Sequence, residues 1–261
     1  MPPVSLESFL PNTVMYTIAT AGYVPFVLNL HASMKRVGIS NHLVVYTPDQ
    51  ELQRELSLMG LRSICFGQQN LPVWADFATA DFVPILAYKY AVATEILLSG
   101  SNALLVDGDI VFLRNPARHL EVVVEQSSAQ MIMQYESPKN VYNAGFWFAR
   151  PHPAVLNLFQ DIQDKLLVYK MFTSDQQCFN EITRDSDRIA LQALDVELFA
   201  CGNQFLGKVT DSIEHIDRSA NPFPFKSAYL LHFNYLVGKE DKVNAMKKFN
   251  AIFYPELLTG P

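Results

Sequence analysis

The feature that most constrains this chain is an acidic triplet set between two short apolar runs. Asp107, Gly108 and Asp109 follow the run Ala103–Val106 and precede the run Ile110–Leu113. Each run has about the length of a buried strand, where a carboxylate is costly unless a partner compensates its charge. Divalent cations such as Mn²⁺ and Mg²⁺ prefer oxygen ligands and commonly share their coordination with phosphates. The pattern therefore predicts a metal site for a nucleotide diphosphate at the end of a central strand.

Two simpler interpretations of acidic triplets have to be weighed. Asp-Gly is a common turn dipeptide, so Asp107 and Gly108 are also compatible with a hairpin connection. A second triplet, Asp185–Asp187, lies in a polar stretch and is interpreted as a solvated turn or helix end. Only the first triplet has apolar runs on both sides and is followed by Arg114–Pro116, which opens a new element. The metal site is therefore predicted at the first triplet.

Composition limits the class of protein. With 261 residues, of which 49% are hydrophobic, the chain can bury a large core, and we expect a single domain over residues 1–261. The net charge of −6 leaves no basic stripe to neutralise a phosphate backbone, so a general nucleic-acid binder is disfavoured. Local basic residues remain sufficient for one small phosphate ligand.

Cysteine use and hydropathy bear on the cellular compartment. Cys65, Cys178 and Cys201 are odd in number and far apart, without CxxC spacing, so we expect the reduced thiols of a cytosolic type of protein. No segment approaches the roughly 18 consecutive apolar residues that span a bilayer. Residues 1–7 lack the basic and apolar regions of a signal peptide. We therefore expect a soluble, cytoplasmic protein without a membrane span.

Short apolar runs alternate with helical patterns, which favours a mostly parallel sheet covered by helices. Besides the strand that leads into Asp107, the predicted strands are Thr13–Ile18, Leu43–Tyr46, Gln130–Gln134, Gly145–Phe148 and Tyr229–His232. The predicted helices are Val24–Met34, Pro48–Met59, Pro84–Ser99, Ala154–Val168, Ser174–Glu181 and Asp241–Asn250. The chain has no GxGxxG and no GxxxxGK[ST], so a dinucleotide cofactor is disfavoured and a P-loop is excluded at the level of the motif.

Two segments near the triplet carry candidate ligand-binding side chains. Lys89 precedes Asp107 on a predicted helix and can neutralise a phosphate or contact a sugar hydroxyl; a solvated lysine on the polar helix face is the alternative. Asn143 precedes Ala144 and Gly145, small residues that permit close backbone approach, and its amide can bond to hydroxyls. A β-turn leading into a core strand accounts for these three residues equally well.

A third candidate lies at the start of a predicted helix. Ser174 or Asp175 can cap the free N–H groups there. A carboxylate at a strand–helix junction can also face a cleft, since ligands of α/β proteins bind at such junctions. Both interpretations of Asp175 stay open.

The last cluster begins with a histidine at the end of a predicted strand. His232 can complete a coordination sphere that two carboxylates begin, although a lone histidine is more often a hydrogen-bonded core residue. Its setting favours a ligand, because the residues that follow can approach a diphosphate. These are Gly238, Lys239 and Lys242.

Taken in order along the chain, these motifs resemble those of a known group of enzymes. Leu105–Val111 with Leu113–Pro116 resembles the DxD strand of GT-A glycosyltransferases, and more narrowly of the nucleotide-diphospho-sugar transferases grouped with family 77. The likeness continues through Tyr142–Gly145, Asp175–Gln176 with Phe179–Asn180, and His232–Tyr235 with Gly238 and Lys242. The ordered set is more specific than any single motif.

The resemblance implies a GT-A fold, an α/β architecture whose mostly parallel nucleotide-binding sheet is flanked by helices. It also implies a Mn²⁺ or Mg²⁺ ion and a nucleotide-sugar donor, most often a UDP-sugar, with the nucleotide bound by the N-terminal part and the acceptor by the C-terminal part. Asp109 and His232 would ligate the metal, and Asp107 would bind the ribose and assist at the metal. The other implied contacts are Thr17, Ala19 and Tyr23 at the nucleoside, Lys89 at the donor, and Asn143, Asp175 and Gln176 around the sugar.

The activity implied is transfer of a sugar to a hydroxyl of a glycan or glycoprotein, with Asp175 and Gln176 as catalytic candidates. Retention and inversion of the anomeric configuration both stay open. A metal-dependent phosphohydrolase or nucleotidyltransferase remains a rival, and it would need extra carboxylates such as Asp175 or Asp195. A catalytically silent carbohydrate-binding domain is the third possibility. For transfer, part of Ala200–Phe225 is expected to cover the site and exclude water.

Overall fold

The computed structural model describes residues 9–67, 69–137, 139–169, 173–184, 187–206 and 227–258. The strands in these ranges are β1 (Thr13–Ile18), β2 (Leu43–Thr47), β3 (Ser63–Cys65), β4 (Asn102–Val106), β5 (Ile110–Phe112), β6 (Met131–Glu136), β7 (Val141–Ala149), β8 (Leu191–Ala193), β9 (Phe199–Cys201) and β10 (Leu230–His232). The α-helices are α1 (Val24–Arg36), α2 (Gln50–Leu58), α3 (Phe82–Leu98), α4 (Ala117–Gln126), α5 (Pro153–Tyr169), α6 (Asp175–Thr183), α7 (Gly202–Phe205) and α8 (Lys239–Lys248).

A seven-stranded sheet in the order β3-β2-β1-β4-β7-β6-β8 forms the centre of the described chain. β1 pairs in parallel with β2 and β4, and β2 pairs in parallel with β3. Parallel neighbours need crossover connections, which α1, α2 and α3 supply in turn. β7 runs antiparallel between β4 and β6. The prediction of a mostly parallel α/β sheet flanked by helices is confirmed.

Helices cover both faces of this sheet. Buried side chains of α1, α2 and α4 belong to one core, and those of α3, α5 and α6 belong to the other. Strands covered on both faces are almost entirely apolar, as β2 and β4 are apart from Thr47 and Asn102 at their ends. β1 alternates: Met15 packs in the first core and Tyr16 and Ile18 in the second. This alternation decides which residues at its end face the cavity described below.

A second sheet has three strands in the order β5-β10-β9. β10 pairs antiparallel with β5 and in parallel with β9. β4 belongs to the large sheet and β5 to this small one, so Asp107–Asp109 carries the chain from one sheet to the other. The hairpin interpretation of Asp107 and Gly108 is therefore wrong.

Most of the predicted elements are present, with ends that differ by a few residues. The elements that were not predicted are the strands β3, β8 and β9, which are too short to show a hydrophobic period, and the helices α4, which follows Pro116, and α7. The helix α8 begins two residues before its predicted start, because Gly238 at a φ of +86° redirects the chain just ahead of it. Met246 of this helix and Phe249 just after it are buried.

The remaining expectations concern the second acidic triplet, the expected cover, the cysteines and membrane-spanning helices. Asp187 of the second triplet is exposed, while Asp185 lies outside the described residues, as does most of the expected cover Ala200–Phe225. The three cysteines are free thiols. Within the described part of the chain, no helix combines the length and apolar character needed to cross a bilayer.

Candidate active site

A cavity of about 500 Å³ opens where β4 ends and the small sheet begins. Its volume lies in the usual range for sites that bind small molecules. The cavity brings together most of the predicted site residues: Tyr23, Lys89, Asp107, Asp109, Asn143, Ala144, Gly145, Asp175, Gln176, His232, Gly238 and Lys242.

Asp107, Asp109 and His232 form the candidate metal centre. One ligand atom from each lies within 4.8 Å of the other two. The backbone brings them together: β10 pairs with β5 so that His232 lies opposite Ile110, beside Asp109. The Phe233 N–H donates to the Asp109 carbonyl at 3.1 Å and fixes this register. The histidine thus lies at the predicted strand end; it is buried and hydrogen-bonded, as the alternative of a core histidine requires, and it also faces the two carboxylates.

The imidazole of His232 is held in a tautomer that suits a metal ligand. Gln134 is fully buried, and its Nε2 donates to the Phe199 carbonyl at 3.1 Å. Its Oε1 therefore faces His232 Nδ1 at 2.9 Å, so Nδ1 carries the proton and donates. Nε2 is then the ring nitrogen that faces the carboxylates, 3.2 Å from Asp109 Oδ1. Such partners orient histidine ligands in many metal sites.

We expect Gln134→Met to weaken metal binding by about 10–100-fold, the usual effect of removing an orienting partner. Methionine keeps the volume of the side chain but offers His232 no oxygen. Isothermal calorimetry with Mn²⁺ measures the effect directly. Gln160→Met, at an exposed position of α5, is the matched control, and an equal loss of affinity in both variants would contradict the assigned role.

Gly145 permits the close approach of the metal ligands. A Cβ at this position would lie 2.2 Å from His232 Cε1 and 2.7 Å from Asp107 Oδ2. Its backbone also fixes the triplet, because the Asp107 N–H donates to the Gly145 carbonyl at 2.8 Å. The backbone at Gly145 therefore approaches its neighbours closely, and these neighbours are two of the three residues of the candidate metal centre.

The electrostatics distinguish the two carboxylates of the triplet. The Asp107 side chain is 31% exposed, yet desolvation in the cavity raises the pKa of Asp107 to about 6, against the opposing charges of Lys89 and His232. Burial also acts on Asp109, but the neighbouring Lys242 and His232 outweigh it and hold the pKa of Asp109 well below its usual range.

The local charge balance fits a cation. Three carboxylates, those of Asp107, Asp109 and Asp175, share the two ammonium groups of Lys89 and Lys242. A divalent ion would supply the missing positive charge. The donor set of two carboxylates and an imidazole with a free Nε2 therefore fits such an ion.

Lys89 is not a solvated helix residue; that alternative is wrong. It is 3% exposed, forms an ion pair with Asp175 and lies 3.8 Å from Asp107 Oδ1. Its Nζ also donates to the Ala144 carbonyl at 3.1 Å. Buried ammonium groups persist only with such partners. Lys89 thus connects the acidic triplet to α6.

At the start of α6, the two candidate roles, helix cap and cavity-facing carboxylate, belong to two different residues. Ser174 is the cap, with its hydroxyl accepting from the Gln177 N–H at 3.1 Å. Asp175 instead faces Lys89, and its Oδ2 also accepts from the Tyr90 hydroxyl at 3.3 Å. Both carboxylate oxygens have partners, since Oδ1 accepts from the Gln176 N–H at 2.9 Å. A carboxylate oxygen has two lone pairs, so Oδ1 keeps one acceptor position and Asp175 stays a catalytic candidate beside Lys89.

Asn143 and Gln176 present their amides side by side in the cavity. Asn143 Nδ2 donates to Gln176 Oε1 at 2.9 Å, and both amide nitrogens donate to Glu136. Glu136 was missed by the sequence analysis. The available signal was a second polar side chain two residues after Gln134, on the same face of a strand that is otherwise apolar.

Only one of the three residues predicted to contact the nucleoside lines the cavity. Tyr23 lines the cavity, stacked on Trp74 with ring centroids 4.3 Å apart. Thr17 and Ala19 are buried on the opposite face of β1, and the cavity wall is formed by their neighbours Ile18 and Thr20. The alternation of side chains along a strand is the cause, and the assignment of Thr17 and Ala19 is corrected to this extent.

The segment after β3 supplies a wall that the sequence analysis did not foresee. Trp74, Asp76 and Phe77 line the cavity. Thr20 anchors this segment by donating to the Val73 carbonyl at 2.7 Å. Nothing in the local sequence distinguishes this aromatic loop from a surface connection.

The three residues after β10 that were predicted to contact the diphosphate differ in their position relative to the cavity. Lys242 forms an ion pair with Asp109 and donates to the Phe233 carbonyl at 3.2 Å. Gly238 lines the cavity as the residue before α8. Lys239 begins that helix and does not line the cavity. Of the predicted diphosphate contacts, Gly238 and Lys242 therefore have the required location.

A family comparison agrees with this geometry. Residues 38–246 match the family model described as nucleotide-diphospho-sugar transferase. The chain belongs to this family. Arabinosyltransferase RRA2 of Arabidopsis thaliana is 27% identical over 201 residues, which are 67% of this chain and 46% of RRA2. Beta-arabinofuranosyltransferase RAY1 of the same plant is 26% identical over 172 residues, 57% of this chain and 30% of RAY1. The chain thus spans less than half the length of either relative.

Solved structures show the same fold. A glycosyltransferase involved in the glycosylation of the major capsid of PBCV-1 aligns with a TM-score of 0.54 at 12% identity, covering 91% of this chain and 99% of that one. The glycosyltransferase GlyE of Streptococcus pneumoniae aligns with a TM-score of 0.54 at 14% identity, covering 94% of this chain and 63% of GlyE. These likenesses confirm the resemblance to GT-A glycosyltransferases at the level of the fold, and the family match makes this chain a member of a glycosyltransferase family.

Proposed function

We propose that this transferase moves a sugar from a UDP-sugar to a hydroxyl of a glycan or glycoprotein. The observation that carries the proposal is the convergence of Asp107, Asp109 and His232 within 4.8 Å beside a cavity of about 500 Å³. A pyrophosphate bound there would face both the ion and Lys242. The N-terminal part of the chain would hold the nucleotide and the C-terminal part the acceptor.

Asp109 and His232 would hold the ion, with Asp107 beside it. We propose Mn²⁺ rather than Mg²⁺, because an imidazole among the ligands suits the softer transition-metal ion better. When bound, the ion would offset the negative charge that develops on the diphosphate as the glycosidic bond breaks.

The chain's own residues would supply the remaining functions. Lys242 carries a positive charge beside Asp109, where it can stabilise the departing diphosphate. Asn143 and Gln176 offer amides to the hydroxyls of the transferring sugar. Asp175 holds Lys89 in place under the triplet. These roles follow from the contacts described above and leave the anomeric outcome to measurement.

The phosphohydrolase and nucleotidyltransferase rivals are less well supported. A second ion or an activated water would require further carboxylates near the triplet. Asp175 is occupied by Lys89. Asp195 is exposed, and its side chain accepts from the Glu197 N–H at 2.8 Å in a local turn. Among the described residues, Asp107, Asp109 and His232 are the one cluster able to hold a metal ion.

The relatives suggest which donors to test first. RRA2 and RAY1 are named as arabinosyltransferases, so UDP-arabinose in its furanose and pyranose forms heads the panel, followed by UDP-xylose, UDP-galactose and UDP-glucose. Each donor is incubated with Mn²⁺ and with glycan acceptors, and product and free sugar are quantified. We expect metal-dependent transfer from one donor. Free sugar released at a rate independent of acceptor would favour the hydrolase, and no metal-dependent binding of UDP would favour a silent binding domain.

A further inference from the structure

Glu136 is a fully buried carboxylate at the end of β6, on the wall of the cavity. Among the described residues no lysine, arginine or histidine forms an ion pair with it. Its negative charge is instead met by four neutral donors from three parts of the chain. These are Asn143 at 2.7 Å, Gln176 at 3.1 Å and Asn234 at 3.2 Å, all to Oε1, and the hydroxyl of Tyr235 to Oε2.

The donor and acceptor roles in this network follow from one fixed point. The Gly145 N–H donates to Asn143 Oδ1 at 2.8 Å. Asn143 Nδ2 must then face Glu136 and Gln176 Oε1. Gln176 Nε2 in turn has Glu136 as its acceptor. The orientation of each amide is therefore determined by the network.

The same carboxylate holds the loop that follows the metal-ligating histidine. Asn234 and Tyr235 both donate to Glu136. Tyr235 has a φ of +68°, a conformation that is strained for a residue with a side chain and needs support from its surroundings. Asn234 Oδ1 also accepts from the Gly202 N–H at 2.6 Å, so the loop is held from two sides.

We propose that Glu136 is a positioning residue for sugar transfer. Its carboxylate orients the amide of Gln176 toward the sugar and holds the Asn234–Tyr235 loop in place through hydrogen bonds. This inference rests on the proposed function. Buried hydrogen-bond networks define one arrangement of side chains when every member has a partner. Without an acceptor at this point, the Gln176 amide is free to turn, and misplacement by about 1 Å at a reacting centre can cost on the order of 100-fold in rate.

The test compares Glu136→Gln with Glu181→Gln, a glutamate on the partly exposed face of α6 that pairs with Lys165. The glutamine keeps the shape of the side chain but turns one acceptor into a donor that faces other donors. We expect kcat to fall about 100-fold, while the Kd for UDP in the presence of Mn²⁺ stays within threefold of the original. The control should retain both values.

A double-mutant cycle with Gln176→Leu separates positioning from a general structural role. If Glu136 acts through Gln176, the double variant loses little more kcat than Gln176→Leu alone. Multiplicative losses would overturn the inference, as would an unchanged kcat in Glu136→Gln or an equal loss of UDP binding.

If Glu136→Gln does not fold, as shown by the loss of cooperative melting, a second variant is used. Tyr235→Phe removes one donor and leaves the carboxylate and its bond to Gln176, so its kcat, measured alone, tests the role of Glu136 in holding the Asn234–Tyr235 loop. An unchanged kcat in Tyr235→Phe would also count against the proposal. If the original chain itself binds no UDP with Mn²⁺, the proposed function fails first, an outcome distinct from an active enzyme that tolerates the loss of Glu136.

Discussion

Asp109→Asn should lower the rate of sugar transfer by about 1,000-fold while the protein stays folded. The asparagine keeps the shape of the side chain but removes the anionic ligand, and with it the several kcal/mol that metal-assisted charge stabilisation contributes to the transition state. Asp109 is the carboxylate closest to both His232 and Lys242. The UDP-dependent binding of Mn²⁺, measured by calorimetry, should be lost together with the activity.

The matched control for this variant is Asp187→Asn. Asp187 belongs to the other acidic triplet, lies on the surface and does not line the cavity. Its loss should leave both transfer and Mn²⁺ binding unchanged. Circular dichroism should show the same helical content in both variants. If Asp187→Asn abolished activity, or if Asp109→Asn still bound Mn²⁺ with UDP, the metal centre would be in the wrong place.

Lys89→Met should lower the free energy of unfolding by about 3–5 kcal/mol, the usual effect of removing one partner from a buried ion pair. Methionine fills the same space, so the cost comes from leaving the Asp175 carboxylate, whose side chain is 7% exposed, without its cation. For a domain of this size the melting temperature should fall by roughly 6–20 °C. Melting is measured with EDTA and without nucleotide, since bound ligands raise stability.

A surface pair provides the control for Lys89. Lys165 and Glu181 also form an ion pair, but their side chains are 27% and 30% exposed. Solvent screens this pair, and Lys165→Met should cost no more than about 1 kcal/mol. The double variant Lys89→Met/Asp175→Leu should recover much of the lost stability, because it removes the buried Asp175 carboxylate together with its cation. Equal melting temperatures for Lys89→Met and Lys165→Met would contradict the buried arrangement.

Much of the candidate site could be predicted because its chemistry is local in the sequence. Asp107 and Asp109 stand out since charge between apolar runs is rare, and His232 stands out at the end of an apolar run. What the sequence does not contain is the partner of each group. Lys89 looked equally compatible with a solvated helix face, and only the tertiary contact with Asp175 shows it to be buried.

Two of the residues that were missed are polar side chains inside a strand. Gln134 and Glu136 occupy positions of β6 that a period-two pattern assigns to a solvated face, yet both are fully buried. The small sheet supplies the hydrogen-bond partners of Gln134, whereas those of Glu136 come from β7, α6 and the loop after β10. Pairing between β10 and β5 joins segments more than 100 residues apart. Strands of three residues are too short for their hydrophobic pattern to predict this pairing.

The central claim is that an ion held by Asp109 and His232, with Asp107 beside it, binds the pyrophosphate of the donor. The most direct test is an anomalous difference map from a crystal grown with MnCl₂ and UDP. The account predicts one strong manganese peak within coordination distance of an Asp109 carboxylate oxygen and His232 Nε2, with the diphosphate on its open side. A manganese peak elsewhere, or UDP bound with His232 Nε2 turned away from it, would contradict the account.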